Sequence, residues 1–143
     1  MISYVRLQKE QEVLAAHLEP NMYTFADLQT AAPYVIMAAM TNSGKVYTLK
    51  IHLEHFPEGV PQVEVLNPLR DKKGRSFIKP SAEMHVLGAS HDGHTLICHY
   101  GAGSWTPQVS LYKIYIKCRL WLEMYEEHLA TGYAIDKFLK HQK

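Results

Sequence analysis

Between residues 47 and 54, apolar residues occupy every odd position and polar residues every even position. This period of two predicts a β-strand with one buried face. The preceding apolar run, residues 34–40, ends just before an Asn-Ser-Gly turn sequence at 42–44, so we predict that the two runs form a hairpin. Val63 and Val65 alternate with polar residues and indicate a further strand. The segment between residues 22 and 66 therefore predicts an antiparallel meander.

An N-terminal helix is predicted over residues 2–18. Leu7, Leu14 and Leu18 lie seven and four residues apart, which places them on one helical face. Pro20 cannot continue a helix, so it closes this segment.

A second helical pattern, the strongest in the chain, follows residue 106. Thr106 and Pro107 fit an N-cap and a first-turn proline, and they predict that a long helix starts there. Its apolar stripe repeats at spacings of three and four: Leu111, Ile114, Tyr115, Cys118, Leu122 and Tyr125. Gly132 predicts the end of this helix. Ile135, Phe138 and Leu139 predict a short terminal helix.

Residues 67–104 show no clear periodicity and are rich in glycine and histidine. We predict a long loop without regular structure, and such a loop in a small domain is usually functional. The whole pattern predicts an α+β fold with an N-terminal helix, an antiparallel meander, an active-site loop, a long C-terminal helix and a short final helix. The chain has 143 residues, 47% of them hydrophobic, and we predict that residues 1–143 form a single domain.

Charge and hydropathy exclude several classes of partner. The 15 basic and 14 acidic residues nearly cancel, so no overall field attracts the chain to nucleic acid or to an anionic membrane. The N-terminus becomes charged too early for a signal peptide, and no apolar run approaches the roughly 20 residues that cross a bilayer. We therefore expect a cytoplasmic protein with two free thiols, which binds neither nucleic acid nor membrane. Arg6, Lys9 and the basic stretch 70–75 are candidate docking residues.

Cys98 is the candidate nucleophile. It lies near His91, His94 and His99, and a reactive thiol needs a reachable environment that stabilises the thiolate. The amides at the start of the helix predicted at Thr106 are a further source of positive potential. The alternative is that Cys98 is a small buried apolar residue.

Cys118 differs from Cys98 because it lies on the apolar stripe of the long helix, and we predict that it packs in the core. The histidines leave two alternatives open. One is a zinc site, since soft ligands are dense in one stretch, although paired-ligand motifs are missing: His85, His91, His94, Cys98 and His99. The other is a Cys–His hydrolase, in which one of these histidines is the base and the orienting third residue is not identified.

The sequence Gly-His-Thr-Leu-Ile-Cys at 93–98, followed by Trp105, Thr106, Pro107 and a long helix, resembles the active-site segment of ubiquitin-conjugating enzymes. In that family a short glycine-led stretch ends in Ile-Cys, and Trp-Ser-Pro or a similar tripeptide opens a helix. The order of the elements is similar as well, including a proline-rich strand exit at residues 56–65. The resemblance covers nearly the whole chain.

The resemblance implies a chemistry for Cys98. This thiol accepts the C-terminal carboxyl group of a ubiquitin-like protein from an activating enzyme, holds it as a thioester, and passes it to an amine without any metal or cofactor. A thioester is already activated, so the protein has chiefly to present the sulfur, orient the amine and stabilise the oxyanion. Trp105 and Pro107 match the family's Trp-Ser-Pro tripeptide, and the resemblance implies that they brace the active-site loop against the helix.

One feature of the family is missing from this chain. The family has a His-Pro-Asn tripeptide, whose asparagine is assigned to oxyanion stabilisation or loop support, and the nearest match here is Met-His-Val-Leu at 84–87. His85 is expected to keep the structural role of the family's histidine. Either His94 or His99 replaces the asparagine as a donor, or catalysis differs from the pattern of the eukaryotic enzymes.

The missing asparagine, the compact strand exit and the segment 121–132 look more like the divergent bacterial relatives of the family. Those proteins occur in anti-phage operons beside cyclic-oligonucleotide synthases related to cyclic GMP-AMP synthase, and in ubiquitination-like operons. The chain resembles the standalone type, which acts on the C-terminus of its partner nucleotidyltransferase. The alternative function is that of an inactive module with the same fold, which binds a partner protein; such modules typically lack the cysteine.

Overall fold

The computed structural model describes residues 2–138 and confirms the predicted α+β class. Within this range the α-helices are α1 (Tyr4–His17), α2 (Leu111–Thr131) and α3 (Ile135–Phe138). The strands are β1 (Tyr23–Ala26), β2 (Tyr34–Met40), β3 (Val46–His52), β4 (Val63–Val65), β5 (Val86–Ala89) and β6 (Thr95–Ile97). Two short 3-10 helices lie at Pro20–Met22 and Ala102–Ser104. None of the helices described is long and apolar enough to span a bilayer.

The strands form one antiparallel sheet in the order β1-β2-β3-β4-β6-β5. The predicted hairpin is confirmed as β2 and β3, in register from Tyr34 opposite His52 to Met40 opposite Val46. Its turn contains Gly44 at φ +89°, where a residue with a Cβ is disfavoured. Because β1 to β4 are neighbours in chain order, the predicted meander is also confirmed.

The prediction that residues 67–104 lack regular structure is wrong. They contain the hairpin of β5 and β6, and β6 pairs with β4 so that it becomes an interior strand. Strands of three and four residues are too short to show a period. Moreover, all three residues of β6 are buried, so its sequence has no alternation.

The core lies between the sheet and α2. The predicted stripe of α2 is confirmed as buried, and Trp121 on the same face is completely buried. The Tyr115 hydroxyl donates to the carbonyl of Ala38 in β2 at 3.2 Å. The rings of Tyr47 and Tyr125 meet edge to face at 6.4 Å. The N-terminal helix, α1, packs against α2 and buries Leu14 completely.

The predicted start of the long helix at Thr106 and Pro107 is wrong. The helix α2 begins at Leu111, and the hydroxyl of Ser110 caps it by accepting the N–H of Lys113 at 3.1 Å. The preceding residues form a turn, closed by the N–H of Val109 and the carbonyl of Thr106 at 3.1 Å. The carbonyls of such a turn take no part in the hydrogen bonds of the helix, so another side chain can bind them.

The side chain that binds them is Arg6 of α1, whose guanidinium donates to the carbonyls of Pro107 at 2.5 Å and Val109 at 3.0 Å.

The end of α2 is as predicted, because Gly132 has φ +80° and its N–H donates to the carbonyl of His128 at 2.8 Å. The predicted terminal helix is confirmed at Ile135–Phe138, while Leu139 lies outside the described residues.

Candidate functional site

Cys98 is the first residue after β6. Its backbone N–H donates to the carbonyl of His85 at 2.8 Å, which extends the β5–β6 pairing by one step. The side chain is neither buried nor fully exposed. The backbone of Cys98 is therefore held in place, and its side chain is partly accessible from solvent.

The surroundings of Cys98 favour the thiol over the thiolate. Burial raises the pKa of Cys98, and the hydrogen bond from Tyr100 lowers it by less, so the pKa lies above its ordinary value. The helix end that was expected to add positive potential starts at Leu111 instead of Thr106, and the N–H of Leu111 donates to Glu10 Oε1 at 2.8 Å. The carboxylate of Glu10 is the anion at this helix end.

Cys118 is completely buried in α2, as predicted, and burial raises its pKa well above the ordinary value. Both cysteines are free thiols, which was also predicted. Of the two, Cys98 is the one a reagent or a partner can reach.

His85 supports the backbone of Cys98. It is buried and has a left-handed backbone, with φ +51°, a conformation that is uncommon outside glycine. Its carbonyl accepts both the Cys98 N–H and the indole N–H of Trp121, the latter at 3.1 Å. Its Nε2 lies 2.9 Å from Oδ1 of Asp136 in α3. These contacts are those of a positioning residue, and a direct catalytic role for His85 stays a prediction.

His99 and His94 have partners on the strand β4 and the segment before it. His99 is buried, its Nε2–H donates to the carbonyl of Pro61 at 2.8 Å, and burial lowers its pKa to about 4, so its ring is neutral at physiological pH. The Nδ1 of His94 lies 2.6 Å from Glu64 Oε1. Oxyanion stabilisation by either ring stays a prediction.

Trp105 anchors the chain segment that follows Cys98. Its indole N–H donates to the carbonyl of Pro57 at 3.0 Å. Its ring meets the ring of Phe56 at 6.2 Å and the ring of Tyr100 at 5.5 Å, both edge to face. These contacts tie residues 100–105 to the corner before β4.

Pro107 and several of the docking candidates have internal partners. The carbonyl of Pro107 accepts the Arg6 guanidinium, which also stacks over the Phe56 ring at 4.9 Å, so Arg6 joins α1 to the start of α2. In the basic stretch 70–75, Arg75 pairs with Asp71 at 2.7 Å, and Lys72 Nζ donates to the carbonyl of Leu129 at 2.9 Å. This stretch therefore lies against the end of α2.

The residues weighed for zinc do not form one cluster. Among residues 2–138, the group of potential ligands that lies close enough for one ion comprises Glu64, Asp92 and His94, with ligand atoms within 4.8 Å of one another. Only His94 belongs to the set taken from the sequence. No local pattern points to Glu64, because it lies thirty positions before His94 and fits the outward-facing position of a half-buried strand.

The fold and the site together define an α+β protein with a partly exposed thiol at the end of an interior strand. Comparisons of the chain with protein-family models, with curated proteins and with solved structures found no match in any of the three.

Proposed function

We propose that the chain is a ubiquitin-conjugating-like transferase that carries an acyl group as a thioester on Cys98. The observation that carries this proposal is the setting of Cys98: its side chain is partly exposed, and its backbone is held by the carbonyl of His85. The segments 93–98 and 105–107, through their resemblance to conjugating enzymes, support it further.

The reaction has two acyl exchanges. In the first, the Cys98 sulfur attacks the carbonyl carbon of an activated C-terminus; a new S–C bond forms, the bond to the donor thiol breaks, and the proton of Cys98 passes to that thiol. In the second, an amine attacks the thioester carbon; an N–C bond forms, the S–C bond breaks, and the amine proton returns to the sulfur. The first step conserves the activated thioester, the second uses that activation to form an amide, and neither step needs an oxidant or metal.

The local electrostatics favour acyl exchange over hydrolysis of a stable ester or amide. A hydrolase needs a thiolate and an adjacent base. Here burial keeps the pKa of Cys98 above its ordinary value, and the neighbouring His99 ring donates to the carbonyl of Pro61. Attack on an already activated thioester makes a smaller demand on the nucleophile.

The proposed acyl donor is the C-terminus of a ubiquitin-like protein or of a partner nucleotidyltransferase related to cyclic GMP-AMP synthase, with an activating enzyme supplied by a separate chain. This part of the proposal, and with it a role in bacterial anti-phage defence, is supported by the resemblance to standalone bacterial conjugating enzymes.

Intact mass spectrometry under non-reducing conditions tests the proposal. The protein is incubated with a candidate donor, an activating enzyme and ATP, and wild type is compared with Cys98→Ser and with the matched control Cys118→Ala. We expect an adduct of the donor's mass minus water on wild type and on the control, removed by added thiol. On Cys98→Ser we expect a thiol-resistant oxyester.

A thiol-sensitive adduct that persists in Cys98→Ser would place the chemistry elsewhere and exclude the proposal. If wild type forms no adduct with any expected donor present, the alternative of a non-catalytic binding module replaces it. Stable binding of the same donor without an adduct, measured by analytical ultracentrifugation, would then identify that module.

A further inference from the structure

Glu64 lies in the interior strand β4, and only 2% of its surface is exposed. It stands opposite Lys50 of β3 and Leu96 of β6. Because side chains alternate along strands, His52 and His94, each two residues from these partners, lie on the same face of the sheet as Glu64. Oε2 of Glu64 is 2.6 Å from Nε2 of His52, and Oε1 is 2.6 Å from Nδ1 of His94.

Asp92 adds a second carboxylate to the side chains around Glu64. Its ligand atom and those of Glu64 and His94 all lie within 4.8 Å of one another. Across residues 2–138, Asp92 forms no ion pair with a basic side chain. The Glu64 carboxylate is also within hydrogen-bond distance of His52, His94 and the Ser90 hydroxyl. Two carboxyl groups and an imidazole ring therefore meet at one place on the sheet.

We infer that Glu64, Asp92 and His94 bind a divalent transition-metal ion of the zinc class. Imidazole nitrogen and carboxylate oxygen are ligands that such ions prefer, and three protein ligands leave a fourth position for water. Bonds of zinc length in a tetrahedron separate the ligand atoms by about 3.3 Å, and the three ligand atoms here lie within 4.8 Å of one another. Coordination through Nδ1 of His94 would replace the hydrogen bond that joins this nitrogen to Glu64 Oε1 at 2.6 Å, with the ring proton carried on Nε2.

His52 has the position of an outer partner to this site. Its Nε2 lies 2.6 Å from Oε2 of Glu64, the oxygen that does not face His94. As a donor to that oxygen it orients the carboxylate, as outer hydrogen bonds do for metal ligands generally. Its own ring nitrogen is not needed as a ligand.

The turn at residues 90–94 presents two of the three ligands. It joins β5 to β6 through the Ser90 N–H to His94 carbonyl bond at 2.8 Å and the Gly93 N–H to Ser90 carbonyl bond at 2.9 Å, with Gly93 at φ +84°. The Ser90 hydroxyl also donates to Glu64 Oε1 at 3.2 Å. The turn is thus held against β4 before any ion arrives, and a bound ion links it to that strand more firmly.

Isothermal titration calorimetry of the metal-stripped protein with Zn²⁺ tests the site. We expect one ion per chain, and affinity at least tenfold lower in Asp92→Asn and in His94→Gln. The matched control is His91→Gln, which changes an exposed histidine of the same turn outside the cluster. Asp92 is exposed and His94 is partly exposed, so we expect both variants to keep the fold, and circular dichroism checks this. Glu64→Gln is a third variant of the site.

The Cys98→Ser variant and cobalt spectroscopy separate this site from a thiolate site. We expect Cys98→Ser to bind zinc as wild type does, and Co²⁺ to give a spectrum without a thiolate charge-transfer band. The inference is overturned if wild type shows no saturable binding, if Asp92→Asn and His94→Gln bind as tightly as His91→Gln, or if binding requires Cys98. Since Cys98 is not a ligand, these outcomes are independent of the thioester assay.

Discussion

The backbone N–H of Cys98 donates a 2.8 Å hydrogen bond to the carbonyl oxygen of His85. The same oxygen accepts the indole N–H of Trp121 at 3.1 Å, and His85 holds it there with a left-handed backbone at φ +51°. Trp121 is completely buried in the middle of α2. One carbonyl therefore couples the candidate nucleophile to the core, and the position of the thiol depends on the packing of α2.

Removing the indole donor should weaken this coupling. We expect Trp121→Phe to lower the free energy of unfolding by about 1–3 kcal/mol, because a buried carbonyl loses one of its two donors and the smaller ring leaves a void. Urea denaturation measures the change. The control is Tyr112→Phe in the same helix, where the residue is only partly buried and a change within about 0.5 kcal/mol is expected. Equal stability of the two variants would contradict the prediction.

The two thiols should differ sharply in their reactivity towards an alkylating reagent in the folded protein. We expect iodoacetamide to label Cys98 and to leave Cys118, which is completely buried, unlabelled until denaturant is added. Because burial raises the pKa of Cys98, the reactive thiolate fraction should still be rising with pH above the ordinary thiol value of about 8.5. Timed alkylation at a series of pH values, read by peptide mass spectrometry, tests both points. A plateau below pH 8 would show a stabilised thiolate instead.

The parts of the fold that could be predicted are those with a long local period. β2 and β3 have seven residues each, and the stripe of α2 repeats over most of its length. By contrast, β5 and β6 have four and three residues, and their pairing depends on β4, far away in the chain. Short strands inside a sheet give no signal of their own.

The candidate site likewise has one part that the local sequence predicts and another that depends on residues far away in the chain. Cys98 could be predicted from residues beside it in the sequence, while its support could not, since Trp121 and Asp136 reach His85 from α2 and α3. The start of α2 was misplaced for a similar reason: Arg6, about a hundred positions earlier, binds the carbonyls that precede it. Interactions at such distance along the chain leave no local pattern.

His99 should make stability depend on pH. Its pKa falls from 6.5 to about 4 in the fold, so its neutral form stabilises the protein above pH 6.5, and this contribution is lost as pH falls from 6.5 towards 4. The full difference corresponds to about 3 kcal/mol. We expect His99→Gln, which does not titrate, to show a shallower loss of unfolding free energy over that window. Parallel curves for wild type and variant, from urea denaturation at each pH, would exclude this role.

Glu10 should be a main determinant of the junction between α1 and α2. It is 2% exposed, and its carboxylate accepts the Leu111 N–H at 2.8 Å and the Arg6 guanidinium at 2.8 Å. Because Glu10→Ala removes the acceptor of the Leu111 N–H and of the Arg6 Nε–H in a mostly buried place, we expect it to lower the free energy of unfolding by about 2–3 kcal/mol. Glu12→Ala, an exposed change in the same helix, should alter it by no more than about 0.5 kcal/mol. If thermal and urea denaturation give the two variants similar stability, the start of α2 is held by Ser110 alone and Glu10 is dispensable.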